Sequence, residues 1–349
     1  MRWFLGLLLV IALVMGVLYG VGRFLLPNDL AVTSTTTIER PRAAVFAMSN
    51  DLRIAREWSP YYAMDPDADY AFSGDTPGAG QTMRWVSNLR EVGSGRISIV
   101  NSTENETIES ILELGDRATL NSSFDLRAVQ GGTNVNWSVS AHCAEGWINV
   151  PCRYMNLVLK GRIESNLDAG LARLKTLAEQ LPNVDFEGFG ISAVPVQSQN
   201  VLFMDVTIPE SAVSDWAAAE ADGIRALNAY IQSVGITPPN TLVRVFRPPQ
   251  GGVLQFSVGY PYEGPAPLRL VGVRVGQTPG GAAVQGAFNG RRSQIANMYG
   301  RIDAFMQAHR IAPRPDTERW EIVDLASIAD SGFAGDPNQN VTIYFPIAE

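Results

Sequence analysis

The stretch GGTNVNWSVSAHCAEGWINVPCRYMNLVLKGRIESNLDAGLARLKTLAEQL, residues 131–181, holds in succession a turn, a strand, a loop with both cysteines of the chain, and one long helix. Gly131-Gly132 is a hairpin signal, and Val135, Trp137, Val139 and Ala141 alternate with polar neighbours as a half-buried strand does. After Pro151, the residues Met155, Leu159, Ile163, Leu167, Leu171, Leu174 and Leu181 recur three or four apart, which predicts a helix with one apolar stripe starting near Arg153. At 1.5 Å per residue a helix of about 28 residues is about 42 Å long, suited to lying across a curved sheet as a lid over a cavity.

Upstream, the pattern is mostly strand. Thr33 to Ile38 is β-branched, Pro41 opens a helix carrying Val45 and Phe46, and alternating runs follow near 70–72, 82–86, 95–100, 107–114 and 118–126. With the strand after Gly131 this predicts seven strands and a long closing helix, an α+β layout in which an antiparallel sheet wraps around a helix and encloses a pocket. Residues 56–60 (REWSP), Ser73-Gly74 and Gly78-x-Gly80 leading into Met83-Arg84-Trp85, Gly93-x-Gly95, and Gly132-Thr133-x-Val135-x-Trp137 resemble the START-like helix-grip superfamily, also labelled SRPBCC or polyketide cyclase/lipid transport. The segment with Leu167, Gly170-Leu171 and Leu174-Lys175 fits its closing helix. The resemblance implies a helix-grip domain over residues 31–182; its members include carriers, cyclases and hydratases, so it implies a fold more than a function.

Residues 3–22 contain no charged side chain and span about 30 Å as a helix, the thickness of a bilayer core, which predicts a transmembrane anchor in residues 1–30. The competing reading is a cleaved signal peptide; the apolar run exceeds a usual signal core, and no small-x-small site follows before Arg23. Arg2 and the amino terminus are then expected on the cytoplasmic side, with the soluble part periplasmic or extracellular. In that compartment Cys143 and Cys152 are expected to form a disulfide joining the last strand to the long helix; two half-buried free thiols are the alternative.

A second domain, residues 183–349, begins after Pro182-Asn183 with a texture richer in Gly and Pro, and it contains an internal repeat. The segment from Asn228 to Pro238 matches that from Asp303 to Pro313. Each ends a helix of apolar spacing, Ile224, Leu227, Ile231 and Val234 in one and Ile295, Met298, Ile302 and Phe305 in the other. Strands near 254–260 and 341–345 follow. This duplicated strand-helix-strand pattern, with Trp320-Glu321 and the closing 341–347 segment, resembles the GyrI-like effector-binding domain that follows DNA-binding heads in AraC-type and MerR-type regulators. The family's aromatic two residues after the pocket glutamate is Val323 here.

The chain has 349 residues, 46% of them hydrophobic, enough for two cores. With 27 basic against 35 acidic residues, a net charge of −8 and no helix-turn-helix, nucleic acid is not an expected partner. Two histidines and two cysteines exclude a His-rich or Cys-rich metal site, and no cofactor is expected. Walker and G-x-S-x-G signatures are absent, and a His142–Cys143 nucleophile is disfavoured because strand neighbours face apart.

Candidate ligand residues in the grip domain are the flat side chains Trp58, Tyr61, Tyr62, Trp85, Trp137 and Tyr154, each with core packing as its alternative. The carboxylates Glu57, Asp65, Asp67 and Asp69 fall in a loop and read as solvated. In the second domain the resemblance points to Glu321, whose alternative is a surface carboxylate paired with Arg244 or Arg319; Tyr260 and Tyr344 are secondary. Trp320 and Glu321 are expected on opposite strand faces. The reading is a membrane-anchored, exported protein that binds or senses a hydrophobic small molecule or lipid without turning it over. The alternative is a cyclase-like or hydrolase-like enzyme.

Overall fold

The structure, a computed structural model, describes residues 2–115, 118–146, 149–211, 216–247, 251–267, 272–328 and 336–348. Met1 and the side chain of Arg2, on which the expected orientation of the anchor rests, lie outside the described residues. The chain divides into two compact units, Met1–Asn183 and Val184–Glu349.

The first unit opens with α1 (Arg2–Phe24), apolar on every side and long enough to cross a membrane; its candidate span, Trp3–Phe24, has a mean hydropathy of 2.7. Then come β1 (Asp29–Ile38), α2 (Arg42–Asn50), α3 (Leu52–Ala55) and α4 (Pro60–Met64). Six strands follow: β2 (Asp69–Ser73), β3 (Thr82–Val86), β4 (Ser94–Thr103), β5 (Thr107–Glu113), β6 (Thr119–Val129) and β7 (Gly132–His142). All seven form one antiparallel sheet in the order β1-β7-β6-β5-β4-β3-β2, a meander closed by β1 at its end.

The long helix α5 (Val150–Ala178) packs across this sheet. From Ile163 onward its buried face is the apolar stripe read from the sequence, Ile163, Leu167, Leu171 and Leu174, with Gly170 between them. Trp137 on β7 rises into that gap: a Cβ at Gly170 would stand 2.7 Å from its ring. The first turns differ from the expectation. The helix begins at Val150, its buried residues there are Val150, Arg153 and Asn156, and Met155 is 52% exposed. The cause is α1, whose last turns cover that face of α5 and present backbone carbonyls to it. Arg153 Nη1 donates to the carbonyls of Gly22, Arg23 and Leu26, groups that a helix end leaves unsatisfied. Cys143 and Cys152 are joined as a disulfide, so the end of β7 is tied to the first turn of α5.

The second unit contains β8 (Ser192–Val196), β9 (Asn200–Pro209), α6 (Trp216–Ser233), β10 (Thr241–Phe246), β11 (Val253–Pro261), β12 (Arg274–Gln277), β13 (Gly281–Arg291), α7 (Ile295–Ala308), β14 (Arg319–Asp324) and β15 (Asn338–Pro346). They build one eight-stranded antiparallel sheet, β12-β9-β11-β10-β14-β15-β13-β8. The order reads alike from both edges: β9-α6-β10-β11 is matched by β13-α7-β14-β15, and the halves meet where β10 pairs with β14. The apolar stripes of α6 (Ile224, Leu227, Ile231) and α7 (Met298, Ile302) pack on one face with Phe256, Val323 and Ile343. On the other face Trp320 packs with Phe203, Val243 and Val245.

Candidate ligand site

The central strand pair of the second unit decides what its pockets contain. β10 and β14 are in register with Arg244 opposite Glu321 and Val245 opposite Trp320. Since strand residues alternate, Arg244 and Glu321 share the helix-covered face and Trp320 looks the other way. Arg244 is 0% exposed and Glu321 1%.

Around them four more polar residues converge. Glu220 stands on the apolar face of α6, one turn before Ile224, and is 0% exposed; a carboxylate there costs several kcal/mol unless paired. Its oxygens meet Arg244 Nε on one side and Arg292 Nη2, just before α7, on the other. Arg244 Nη1 donates to Glu321 Oε2 at 2.9 Å, and both Nη atoms donate to Gln339 Oε1 at 3.1 Å. The second oxygen of Glu321 accepts from the hydroxyl of Tyr299 at 2.8 Å. Arg292 stacks its guanidinium 3.9 Å from the ring of Trp216. Two carboxylates and two guanidiniums thus balance in a buried floor.

The electrostatics follow from burial. Burial works against the charge on Arg244, but Glu220 and Glu321 outweigh it and hold the guanidinium above its ordinary value. At Arg292 burial dominates and lowers the value, Arg244 adding to the effect and Glu220 opposing it. Burial and then the charge of Glu321 push the Tyr299 hydroxyl far up, so it stays protonated and donates.

Above this floor lies a pocket of about 590 Å³, lined by Trp216, Phe246, Ile295, Ala296 and Tyr299, with Arg247, Thr317, Glu318, Arg319 and Glu321. The volume suits a small molecule, for which sites run from about 300 to 1,000 Å³. Charges at its rim are also matched: Arg247 pairs with Glu318 at 2.9 Å, and Arg319 pairs with Asp303 at 3.1 Å. Trp216 Nε1 is buried without a hydrogen-bond partner among the described residues.

Glu321 is therefore at a pocket and paired with Arg244 at once, and the pair is buried, not at the surface. Tyr344 lies opposite Trp320 on β15, its ring stacked at 4.8 Å, and lines a separate pocket of about 220 Å³ on the other sheet face. It cannot share a ligand with Glu321. Tyr260 is buried under α6 and donates to Asn228 at 2.9 Å, away from the pocket. Trp216, Tyr299 and Arg292 were not read from the sequence, and Arg244 was read only as one of two alternative surface partners of Glu321. Glu220 carried a signal for them: a charged residue in register with the apolar stripe of α6 demands a buried cation.

In the first unit the aromatic candidates do not meet in one cavity. Trp58, Trp137 and Phe124 fill the space beneath α5, with ring centroids 4.7 to 5.6 Å apart, and their indole nitrogens donate inward to Met48 and Ser122. Trp85 is 2% exposed and stacks on Tyr61. Tyr62 packs edge-on against Tyr70, with Arg56 beside both rings. Tyr154 donates to the Leu18 carbonyl of α1. The space under the middle of α5, about 440 Å³, is lined by one of these candidates, Tyr61, with Met64, Val92, Leu159, Arg162 and Asn166, while Trp85 lines a different pocket with Tyr70.

No family model matches the sequence, and no curated protein matches it. Among solved structures, an uncharacterized protein from Rhizobium leguminosarum is 16% identical, over 44% of this chain and 95% of its own, with a TM-score of 0.32. Ara h 8.0201 is 13% identical over 44% of this chain and 99% of its own, with a TM-score of 0.32. The KanY protein is 17% identical over 44% and 99%, with a TM-score of 0.31.

Proposed function

We propose that this protein is a membrane-anchored binder of a neutral, largely apolar small molecule, and that the pocket at Glu321 is its ligand site. In this reading residues 1–30 anchor the chain, residues 31–182 form a helix-grip domain beside the bilayer, and residues 183–349 form a GyrI-like effector-binding domain. The all-round apolar character of α1 supports the anchor, and a disulfide supports an oxidising compartment, periplasmic or extracellular. The matching halves of the eight-stranded sheet support the GyrI-like assignment.

One observation carries the choice of ligand: both oxygens of Glu321 are engaged, one by Arg244 and one by Tyr299, in a floor whose charges cancel. An unpaired buried carboxylate would select a cation. A neutralised one offers no such gain, while aromatic walls reward burial of apolar surface. The same engagement keeps Glu321 from serving as a general base, which favours binding over turnover. The Nε1 of Trp216, without a hydrogen-bond partner among the described residues, adds a donor for a hydrogen-bond acceptor on the ligand.

The test compares 2-naphthylmethanol with its isostere 2-naphthylmethylammonium, both titrated into the full chain in detergent and read by native mass spectrometry. The neutral compound is expected to bind about tenfold more tightly or better, and Ala296→Trp, which fills the pocket, to abolish the difference. Preference for the ammonium would refute the reading.

A further inference from the structure

The contact between α1 and α5 sets a depth. A bilayer core of about 30 Å needs about 20 helical residues, and the uncharged run ends at Gly22, just before Arg23. If α1 crosses, its turn from Leu18 to Gly22 lies inside the hydrocarbon boundary. That turn is where α5 rests. Gly22 touches Val150 and Tyr154 so closely that a Cβ on it would stand 2.4 Å from Val150 Cγ1. The Tyr154 hydroxyl donates to the Leu18 carbonyl at 2.6 Å, about 9 Å back along the axis from the helix end at Phe24. Arg153 fixes the geometry by taking three carbonyls at the end of α1.

At this level α5 exposes an apolar face that the described residues of its own unit leave largely uncovered: Met155 is 52% exposed, Leu157 60% and Val158 74%. Phe24 and Leu25 beside the helix end are 82% and 75% exposed. Basic side chains flank the patch, with Arg23, Lys160 and Arg162 all exposed. Apolar residues at the acyl boundary under a basic rim are the pattern of an interfacial helix on anionic lipid, and a tyrosine at that depth keeps its ring in the boundary and its hydroxyl on a polar group.

We propose that residues 150–160 of α5 are a second membrane element, lying in the headgroup and acyl boundary of the leaflet through which α1 leaves, with Met155, Leu157 and Val158 inserted. The partner is the lipid surface itself. This element makes the grip domain's orientation to the bilayer fixed, because α5 then touches lipid at one end and the sheet at the other. The inference rests on the reading of α1 as a membrane span, and the test separates the two.

The full chain, with its disulfide kept oxidised, is labelled with the environment-sensitive dye NBD at one introduced cysteine and reconstituted in phosphatidylcholine vesicles containing about a quarter phosphatidylglycerol. The positions are Leu13→Cys in the middle of α1, Val158→Cys on α5, and Gln130→Cys at the far end of the β6–β7 hairpin. Shallow and deep doxyl-labelled lipids then report depth. The expected result is quenching at position 13 mainly by the deep label, and at position 158 mainly by the shallow label, at least about twice that at position 130. Quenching at 13 with none above the control at 158 overturns the second element and leaves the span standing. No quenching at either position overturns the span, and the proposal with it.

Discussion

Replacing Glu321 by Gln keeps the shape of the pocket floor and removes one charge from it. Arg244 then loses its charged partner at 2.9 Å, and the buried set of Glu220, Glu321, Arg244 and Arg292 goes from balanced to one cation in excess. The new amide can keep its oxygen toward Arg244 and donate its NH2 to the Tyr299 hydroxyl, which accepts as well as donates, so the variant loses charge rather than hydrogen bonds. Breaking a buried pair from one side costs about 3–5 kcal/mol. Arg244 keeps Glu220 and Gln339, so Glu321→Gln falls near the lower figure. Arg244→Met falls near the upper one, because it leaves Glu321 to Tyr299 alone and Glu220 to Arg292 alone. The double variant Arg244→Met/Glu321→Met removes a matched pair and leaves Glu220 with Arg292, so it should be more stable than Arg244→Met by about 2 kcal/mol, a clear departure from additivity. Urea denaturation of the full chain in detergent, followed by tryptophan fluorescence, measures all three. A Glu321→Gln variant within about 0.5 kcal/mol of the parent, the range of ordinary surface changes, would refute the buried and balanced floor.

Tyr299→Phe should cost about 1.5–3 kcal/mol for a lost hydrogen bond to a charged acceptor, and it should also change the alkaline limb of stability. The folded state holds the Tyr299 proton above the ordinary value of 10.0, so its contribution is full below about pH 10 and falls as pH rises further; the urea midpoint should drop less steeply there in the Phe variant. Reducing Cys143–Cys152, which closes a sequence separation of 9, should lower stability by about 2–3 kcal/mol, read as a shift of the same midpoint with and without reductant. Gly170→Ala sets a methyl against the Trp137 ring and should destabilise the first unit by about 1–3 kcal/mol, with a shift in tryptophan emission; an unchanged midpoint would contradict the close packing of α5.

The seven strands of the first unit and the second half of α5 were legible because one face of each is buried and the apolar residues keep period. The first turns of α5 were not. There the buried positions beyond Val150 are Arg153 and Asn156, which serve carbonyls of α1 and the neighbouring Asn28, and a hydropathy stripe does not register such contacts. The aromatic candidates of the first unit were visible as residues, but their sequence does not tell a cavity wall from a plug; Trp58 and Trp137 are the plug because Gly170 leaves room for a ring. Strand alternation separated Trp320 from Glu321 in advance, and the same rule puts Tyr344 with Trp320 once the β14–β15 register is known. Register is what the sequence lacked. The network of Glu220, Arg244, Arg292 and Gln339 draws on a helix, a turn and two strands, and only the order β10-β14-β15 brings them together.

The most direct test of the proposed ligand site is the mass of the full chain as purified in detergent from the cells that make it. Native mass spectrometry after gentle release from detergent should show an adduct of a few hundred daltons that carries no charge of its own, and the adduct should be missing from Ala296→Trp while the fold is kept. An adduct retained by Ala296→Trp would place the ligand outside the Glu321 pocket, and a cationic adduct lost from that variant would show that the pocket reads charge after all.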